Sequence, residues 1–187
     1  MTAYRTAPEW TIAHWLNEDR LNAPAAPSLA ALRGKVVMAV AFQMLCPGCV
    51  SHGLPQAQRV RAAFSAKDVA VFGLHTVFEH REAQGSKEAL AAFLHEYRIG
   101  FPVGIDAGAP GGGVPLTMRA YNMQGTPTTI LIDRDGRLRL SKFGHIDDLL
   151  LGASIATLIG EAPAIAPEAP AMGCDPEGCA VEGAPSS

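Results

Sequence analysis

The chain reads Phe-Gln-Met-Leu-Cys-Pro-Gly-Cys from Phe42 to Cys49. An apolar, β-branched run from Val36 precedes this stretch, and an amphipathic segment follows it to about Phe64. Strand, turn and helix in that order place a cysteine at a helix N-terminus, where unpaired N–H groups and the helix dipole stabilise a thiolate. Two cysteines on one helical turn can also form a disulfide with little rearrangement. The stretch therefore predicts a redox-active dithiol, Cys46 and Cys49.

A Cys-x-x-Cys sequence has two other interpretations. It can supply half of a zinc site, or it can be a pair of buried thiols. The strand that precedes it and the βα order favour the redox interpretation.

A second feature lies downstream, where Gly125–Asp133 reads Gly-Thr-Pro-Thr-Thr-Ile-Leu-Ile-Asp. Proline cannot donate to a β-ladder, so Pro127 belongs at the first position of this β-branched strand or at a sheet edge. An X-Pro bond in the rare cis form is typically a tight-turn feature. The Thr126–Pro127 bond is therefore a candidate for the cis form.

The Cys46–Cys49 motif together with Thr126–Pro127 resembles the thioredoxin superfamily, in which a cis-proline loop packs against the dithiol. Within it, the sequence is most similar to the TlpA/ResA-like and AhpC/TSA-like redoxins. Leu32–Val37 and the strand-turn-strand of Thr129–Leu138 match the pattern of these redoxins. The resemblance implies an α/β thioredoxin-like fold, which is a three-layer α/β/α sandwich with a central mixed sheet and an inserted helix, here Ser86–Ile99.

Composition is that of a globular protein. Of the 187 residues, 48% are hydrophobic and 18% are charged, which is unlike a disordered chain. A formal net charge of −3 gives no electrostatic reason to expect a nucleic acid or an anionic membrane as a partner. No apolar run reaches the about 18 residues that a membrane-spanning helix needs.

We expect two parts in the chain. Residues 1–160 should form the redoxin domain, with 1–31 as an irregular beginning, and residues 161–187 an Ala/Pro-rich flexible tail. The first seventeen residues lack the basic start, apolar stretch and cleavage site of a secretory signal, so the expected location is the cytoplasm. Exposed dithiols in that compartment tend to be catalytic, because structural disulfides are rare there.

Sequence patterns also place the regular elements. Strands are predicted at Val36–Phe42, Val69–Leu74, Phe101–Ile105 and Leu138–Phe143. The active-site helix should run from Pro47 to Ala66 with a kink at Pro55, which removes one hydrogen bond. A final helix should begin at Asp147 or Asp148. The spacing of apolar residues over 10–16 is compatible with a short helix.

The resemblance also implies a mechanism. Cys46, the cysteine nearer the helix start, is the expected nucleophile that attacks a substrate disulfide, and Cys49 then resolves the mixed disulfide. The backbone of Thr126 is expected to pair with the substrate chain, with Pro127 shaping that contact. The expected substrate is a protein or low-molecular-weight disulfide. An upstream donor such as a thioredoxin or glutathione system would supply electrons, and no cofactor is required.

Three positions depart from the pattern of the resembled proteins. Leu45 stands where redoxins most often have tryptophan, and apolar Val40 stands where thioredoxin has a buried aspartate. His52 stands where TlpA/ResA-like proteins often have glutamate. At helical spacing His52 can approach Cys49 as a proton acceptor, or it can be an exposed histidine without a role.

A thiol peroxidase is the rival enzyme. Pro47–Cys49 followed by Leu54–Pro55 resembles atypical peroxiredoxins around their peroxide-reactive cysteine, which would then be Cys49. Those proteins have a proline and a threonine seven and three residues before that cysteine. Here these positions are Phe42 and Cys46, so the residues that orient peroxide are missing.

The tail carries a second cysteine pair, Cys174 and Cys179, and three interpretations stay open. The pair can relay electrons to Cys46–Cys49. It can bind zinc or copper, alone or by completing a four-cysteine site with the first pair; the rival function is then a metal-binding module. It can also be an inert exposed pair.

Overall fold

The computed structural model of the chain describes residues 4–18 and 28–161. Its centre is one six-stranded sheet with strand order β1-β4-β3-β2-β5-β6. The strands are β1 Ile12–Leu16, β2 Val36–Phe42, β3 Val69–His75, β4 Val103–Asp106, β5 Thr128–Ile132 and β6 Leu138–Phe143. Strands β2, β3 and β4 are parallel, and β1, β5 and β6 each pair antiparallel with their neighbours. The predicted mixed sheet is confirmed.

Five α-helices of the described residues surround the sheet. They are α1 Leu54–Ala63, α2 Arg81–Gln84, α3 Lys87–Glu96, α4 Leu116–Ala120 and α5 Asp148–Gly160. The inserted helix starts where its predicted range begins, because Ser86 is its N-cap and the Ser86 side chain accepts a hydrogen bond from the Ala89 N–H. Asp147 caps α5 in the same way. Within the described ranges no helix is long and apolar enough to cross a membrane.

Helices α1, α3 and α5 pack on one face of the sheet, against the side chains of Val36, Met38, Val40 and Phe42. The opposite face, which includes Val37 and Phe72, is covered by Tyr121 after α4 and by the N-terminal segment around Trp10. All seven residues of β2 are buried, which explains its unbroken apolar sequence. The three layers of the predicted sandwich are present, and the second helical layer is thin.

The N-terminal segment is where the prediction is wrong. Residues 12–16 form strand β1, neither a helix nor an irregular stretch, and they pair antiparallel with β4 from Ile12↔Asp106 to Leu16↔Val103. The strand exists because an open sheet edge offers it hydrogen bonds, and local spacing does not reveal such a distant partner. Trp10, just before the strand, and Trp15 within it form a ring cluster with Phe72 of β3.

The helix after the dithiol is more irregular than predicted. A π-helical turn, Cys49–Gly53, precedes α1, and Pro55 lies in the first turn of α1. Pro55 has no N–H to give to the carbonyl four residues earlier, so the regular α-helical pattern cannot extend through this point. The helix ends at Ala63, three residues before the predicted end.

Candidate active site

The two cysteines lie at the C-terminal end of β2 in different environments. Cys46 is partly exposed and Cys49 is fully buried, and both are free thiols. The Cys49 backbone N–H donates to Cys46 Sγ at 3.3 Å. The Cys46 thiol in turn donates to the carbonyl oxygen of Thr126 at 3.5 Å. One sulfur is thus presented to solvent with a backbone donor already directed at it.

Burial, and after it the hydrogen bond with Cys46, raises the pKa of Cys49 to about 12. Desolvation acts this way because a thiolate loses more hydration energy than a thiol. At neutral pH Cys49 is therefore protonated.

The Thr126–Pro127 peptide bond is cis, and Pro127 packs directly on the dithiol helix. A Cβ added at Gly53 would lie 2.9 Å from Pro127 Cβ and 3.4 Å from Val40 Cγ2. A Cβ added at Gly48 would meet Pro127 Cδ at 3.4 Å. The absence of a side chain at Gly53 lets the proline loop approach the helix. The sequence reasoning missed Gly53, although a glycine inside a helical stretch was a readable signal of close packing.

A pair of buried glutamines holds the dithiol loop in place. Gln84 on α2 accepts a hydrogen bond from the Leu45 N–H at 3.1 Å and donates to Gln43 Oε1 at 3.2 Å. Gln43 Oε1 also accepts from the N–H groups of Phe78 and Glu79. The sequence reasoning missed this network, because a polar residue after a strand does not reveal its distant partner.

The structure shows what surrounds Val40 and His52, two of the three positions that depart from the pattern of the resembled proteins. Val40 is fully buried in apolar core, so no titratable group stands there. His52 is exposed; its Nδ1 is 2.7 Å from Ser51 Oγ, and its ring lies 5.2 Å from the ring of His145. The contacts of His52 are therefore with Ser51 and His145, and its role as proton acceptor for Cys49 stays a prediction.

A groove of about 350 Å³ opens beside Cys46. Its lining includes Gly125 and Thr126 from the proline loop, residues 78–80 and Gln84. Two exposed apolar side chains, Leu45 and Phe143, also line it. The groove presents a sulfur, a backbone carbonyl and apolar contacts to a bound molecule.

The rival chemistries find less support in this geometry. A peroxidase that reacts through Cys49 would need an accessible thiolate, yet Cys49 is 0% exposed and its pKa is raised. Among the described residues no group of three or more His, Cys, Asp or Glu side chains could hold a metal ion. Cys174 and Cys179 lie outside the described residues, so the interpretations of the tail stay predictions.

Comparison with known proteins agrees with this architecture. The sequence profile of the AhpC/TSA family matches residues 6–141. A solved thioredoxin-like superfamily protein is 57% identical with a TM-score of 0.79, over 85% of this chain and 99% of that chain. A thiol-disulfide isomerase from Corynebacterium glutamicum is 42% identical with a TM-score of 0.75, over 83% of this chain and 98% of that chain. Among curated proteins none matches at a significant level. The chain therefore belongs to the AhpC/TSA family and has a thioredoxin-like fold.

Proposed function

We propose that the protein is a thiol-disulfide oxidoreductase that uses Cys46 and Cys49 in a dithiol-disulfide cycle. The observation that carries the proposal is the asymmetry of the pair: a partly exposed Cys46 lies above a buried Cys49 whose pKa is about 12. A solved relative, 42% identical, is described as a thiol-disulfide isomerase.

The first step is attack by the Cys46 thiolate on one sulfur of a substrate disulfide. The Cys46–substrate bond forms, the substrate S–S bond breaks, and the first substrate thiolate leaves. The Cys49 N–H, which already points at Cys46 Sγ, stabilises the negative charge on the attacking sulfur.

The second step is resolution by Cys49. Once Cys46 is part of a mixed disulfide, it no longer forms the thiol hydrogen bond that raises the pKa of Cys49. Cys49 then loses its proton more easily, attacks Cys46 Sγ and releases the second substrate thiolate. Two electrons have passed from the dithiol to the substrate, and the Cys46–Cys49 disulfide remains.

Substrate contact is assigned to the groove. The carbonyl of Thr126 faces Cys46 Sγ, and Leu45 and Phe143 offer apolar surface to an extended chain. The proposed substrate is a protein or low-molecular-weight disulfide, with a thioredoxin or glutathione system as electron donor in the cytoplasm. No metal takes part in this cycle, and zinc or copper at the tail cysteines remains a separate hypothesis.

The test compares Cys46→Ser and Cys49→Ser with the unmodified chain, using a disulfide-bonded peptide as substrate and dithiothreitol as reductant. Cys46→Ser should abolish turnover. Cys49→Ser, reduced beforehand and then incubated with the peptide without dithiothreitol, should accumulate a mixed disulfide between Cys46 and the peptide, visible by mass spectrometry. A matched Cys174→Ser variant keeps the cycle and at most slows its recycling. Undiminished turnover by Cys46→Ser would sink the proposal.

A further inference from the structure

Cys174 and Cys179 are the two cysteines that the proposed cycle does not use. They lie outside the described residues, in the part of the chain that follows Glu161. The four residues between them read Asp-Pro-Glu-Gly, which places aspartate, proline and glycine at the positions where a type I turn prefers them. Such a turn brings its ends within about 7 Å, so the two cysteines that flank this sequence are suited to form a disulfide with each other.

The described fold determines where this tail begins. Helix α5 starts beside the dithiol helix, because Gln56 of α1 donates to the carboxylate of Asp148 at 2.6 Å. Its thirteen residues carry the chain about 20 Å further. At the far end Arg139 donates to both carboxylate oxygens of Glu161. Arg139 lies near the start of β6, whereas Phe143 at the end of β6 lines the dithiol groove. The tail therefore begins about 20 Å from the dithiol end of the sheet.

The chain after Glu161 is long enough to return over this distance. Cys174 is thirteen residues after Glu161, and thirteen residues in extended conformation reach about 43 Å. Residues 162–170 are rich in alanine and proline, and a proline-rich linker, at about 3.1 Å per residue, would still reach about 40 Å. Both tail cysteines can therefore reach Cys46 without any change in the described fold.

Oxidation of the dithiol leaves one of its sulfurs open to attack. The proposed cycle ends with a Cys46–Cys49 disulfide. Cys49 is 0% exposed in the structure, whereas Cys46 is partly exposed and lines the groove. A thiol that reduces this disulfide must therefore enter the groove and attack Cys46 Sγ.

The residues around the tail cysteines match the surface of the groove. The groove has a volume of about 350 Å³, so a chain that enters it must be narrow, and both tail cysteines directly follow a glycine. The groove also presents two exposed apolar side chains, Leu45 and Phe143. Met172 and Val181, each two residues outside the tail cysteine pair, supply apolar side chains that can cover them.

We propose that the tail enters the groove and that Cys174 and Cys179 reduce the Cys46–Cys49 disulfide of the same chain. This inference rests on the proposed function, which supplies that disulfide. One tail thiolate attacks Cys46 Sγ, the Cys46–Cys49 bond breaks, and Cys49 leaves and takes up a proton. The other tail thiolate attacks the first tail sulfur and releases Cys46. Two electrons have then passed to the dithiol, and a Cys174–Cys179 disulfide remains for an external dithiol or glutathione to reduce.

The experiment follows the position of the disulfide within the full chain. One equivalent of a disulfide-bonded peptide is added to the fully reduced chain, free thiols are alkylated at successive times, and mass spectrometry maps the cysteines. The disulfide should appear first at Cys46–Cys49 and then at Cys174–Cys179. Because the transfer occurs within one chain, its rate should not change when the protein is diluted tenfold.

Two full-length variants give the matched control. Cys174→Ser/Cys179→Ser keeps the dithiol, and Cys46→Ser/Cys49→Ser keeps the tail pair. In a mixture of the two, transfer should be about a hundredfold slower at about 10 µM of each chain, because a tether supplies an effective concentration on the order of millimolar.

Three results would overturn the proposal. The first is a disulfide that stays at Cys46–Cys49 while the tail thiols remain free or are held by zinc or copper. The second is transfer in the mixture at the rate of the unmodified chain. The third is that no Cys46–Cys49 disulfide forms, in which case the proposed function fails as well; the first two results leave that function intact.

Discussion

Replacement of Gly53 by alanine tests whether close packing of the proline loop on the dithiol helix matters. The new Cβ would lie 2.9 Å from Pro127 Cβ and 3.4 Å from Val40 Cγ2. Val40 belongs to the buried core strand β2, so Pro127 is the neighbour with more freedom to move. Displacement of Pro127 would also move the adjacent Thr126 carbonyl away from Cys46 Sγ, from which it now lies 3.5 Å.

Two opposing energies decide the effect on stability. Overpacking at a buried site costs about 1–3 kcal/mol, whereas alanine is favoured over glycine in a helix by at most about 1 kcal/mol. The clash should win, and we expect Gly53→Ala to lower the free energy of unfolding by about 1 kcal/mol. The rate of thiol-disulfide exchange should also fall, by about tenfold, because reaction rates fall steeply with small displacements of reacting groups.

Gly152 supplies the control. It lies within α5, and a Cβ added there meets nothing within 4 Å. Gly152→Ala should raise the free energy of unfolding by at most about 1 kcal/mol and leave exchange unchanged. Urea unfolding gives the stabilities, and reduction of a disulfide peptide gives the rates. If Gly53→Ala and Gly152→Ala shift stability equally and both exchange at the normal rate, the packing argument is wrong.

Three further predictions concern other parts of the molecule. Gln84→Leu should cost about 2–4 kcal/mol in urea unfolding, because it leaves buried partners such as the Leu45 N–H unpaired; a loss near zero would contradict the network. In a chain without the tail cysteines, Cys46→Ala should lower the pKa of Cys49 from about 12, whereas burial should keep it above that of an ordinary cysteine. Thiolate absorbance measures this pKa. If the pKa of Cys49 does not fall, the resolution step described above is wrong. The pKa of His75 is 6.5 in the unfolded chain and about 4 in the folded chain. Between these values only the unfolded chain takes up the proton, so the free energy of unfolding should fall by about 3 kcal/mol as the pH is lowered across this interval. His75→Phe should remove this part of the pH dependence of urea unfolding, and an unchanged slope would show that His75 is not its source.

Much of the fold was predictable because its signals are local. The unbroken apolar run of β2, the caps at Ser86 and Asp147, and the hairpin after β5 each follow from neighbouring residues, and the structure contains all of them. Strand β1 was not predictable in this way, because its hydrogen bonds come from β4, far along the chain. Its sequence is compatible with a helix, and the open sheet edge decides the outcome.

The site was predictable to a similar extent. Spacing identified Cys46 and Cys49, and proline chemistry identified Thr126–Pro127, which the structure brings to within hydrogen-bond distance of Cys46. Helical spacing does not determine the direction of the His52 side chain. In the structure the His52 ring lies against the ring of His145. The glutamine network required knowledge of which loops meet, and no pattern within one segment contains that information.

The unequal environments of the two sulfurs follow from the way the helix is attached to the sheet. Cys46 lies before the π-helical turn, where the chain leaves β2 and faces the groove, whereas Cys49 begins that turn and is buried in the core with Val40 and Leu54. Gly53 then sets how closely Pro127 approaches from the other side. The same proline loop presents the Thr126 carbonyl to Cys46. Substrate contact and sulfur environment are thus fixed by one packing interface, so a change at Gly53 should alter the two together.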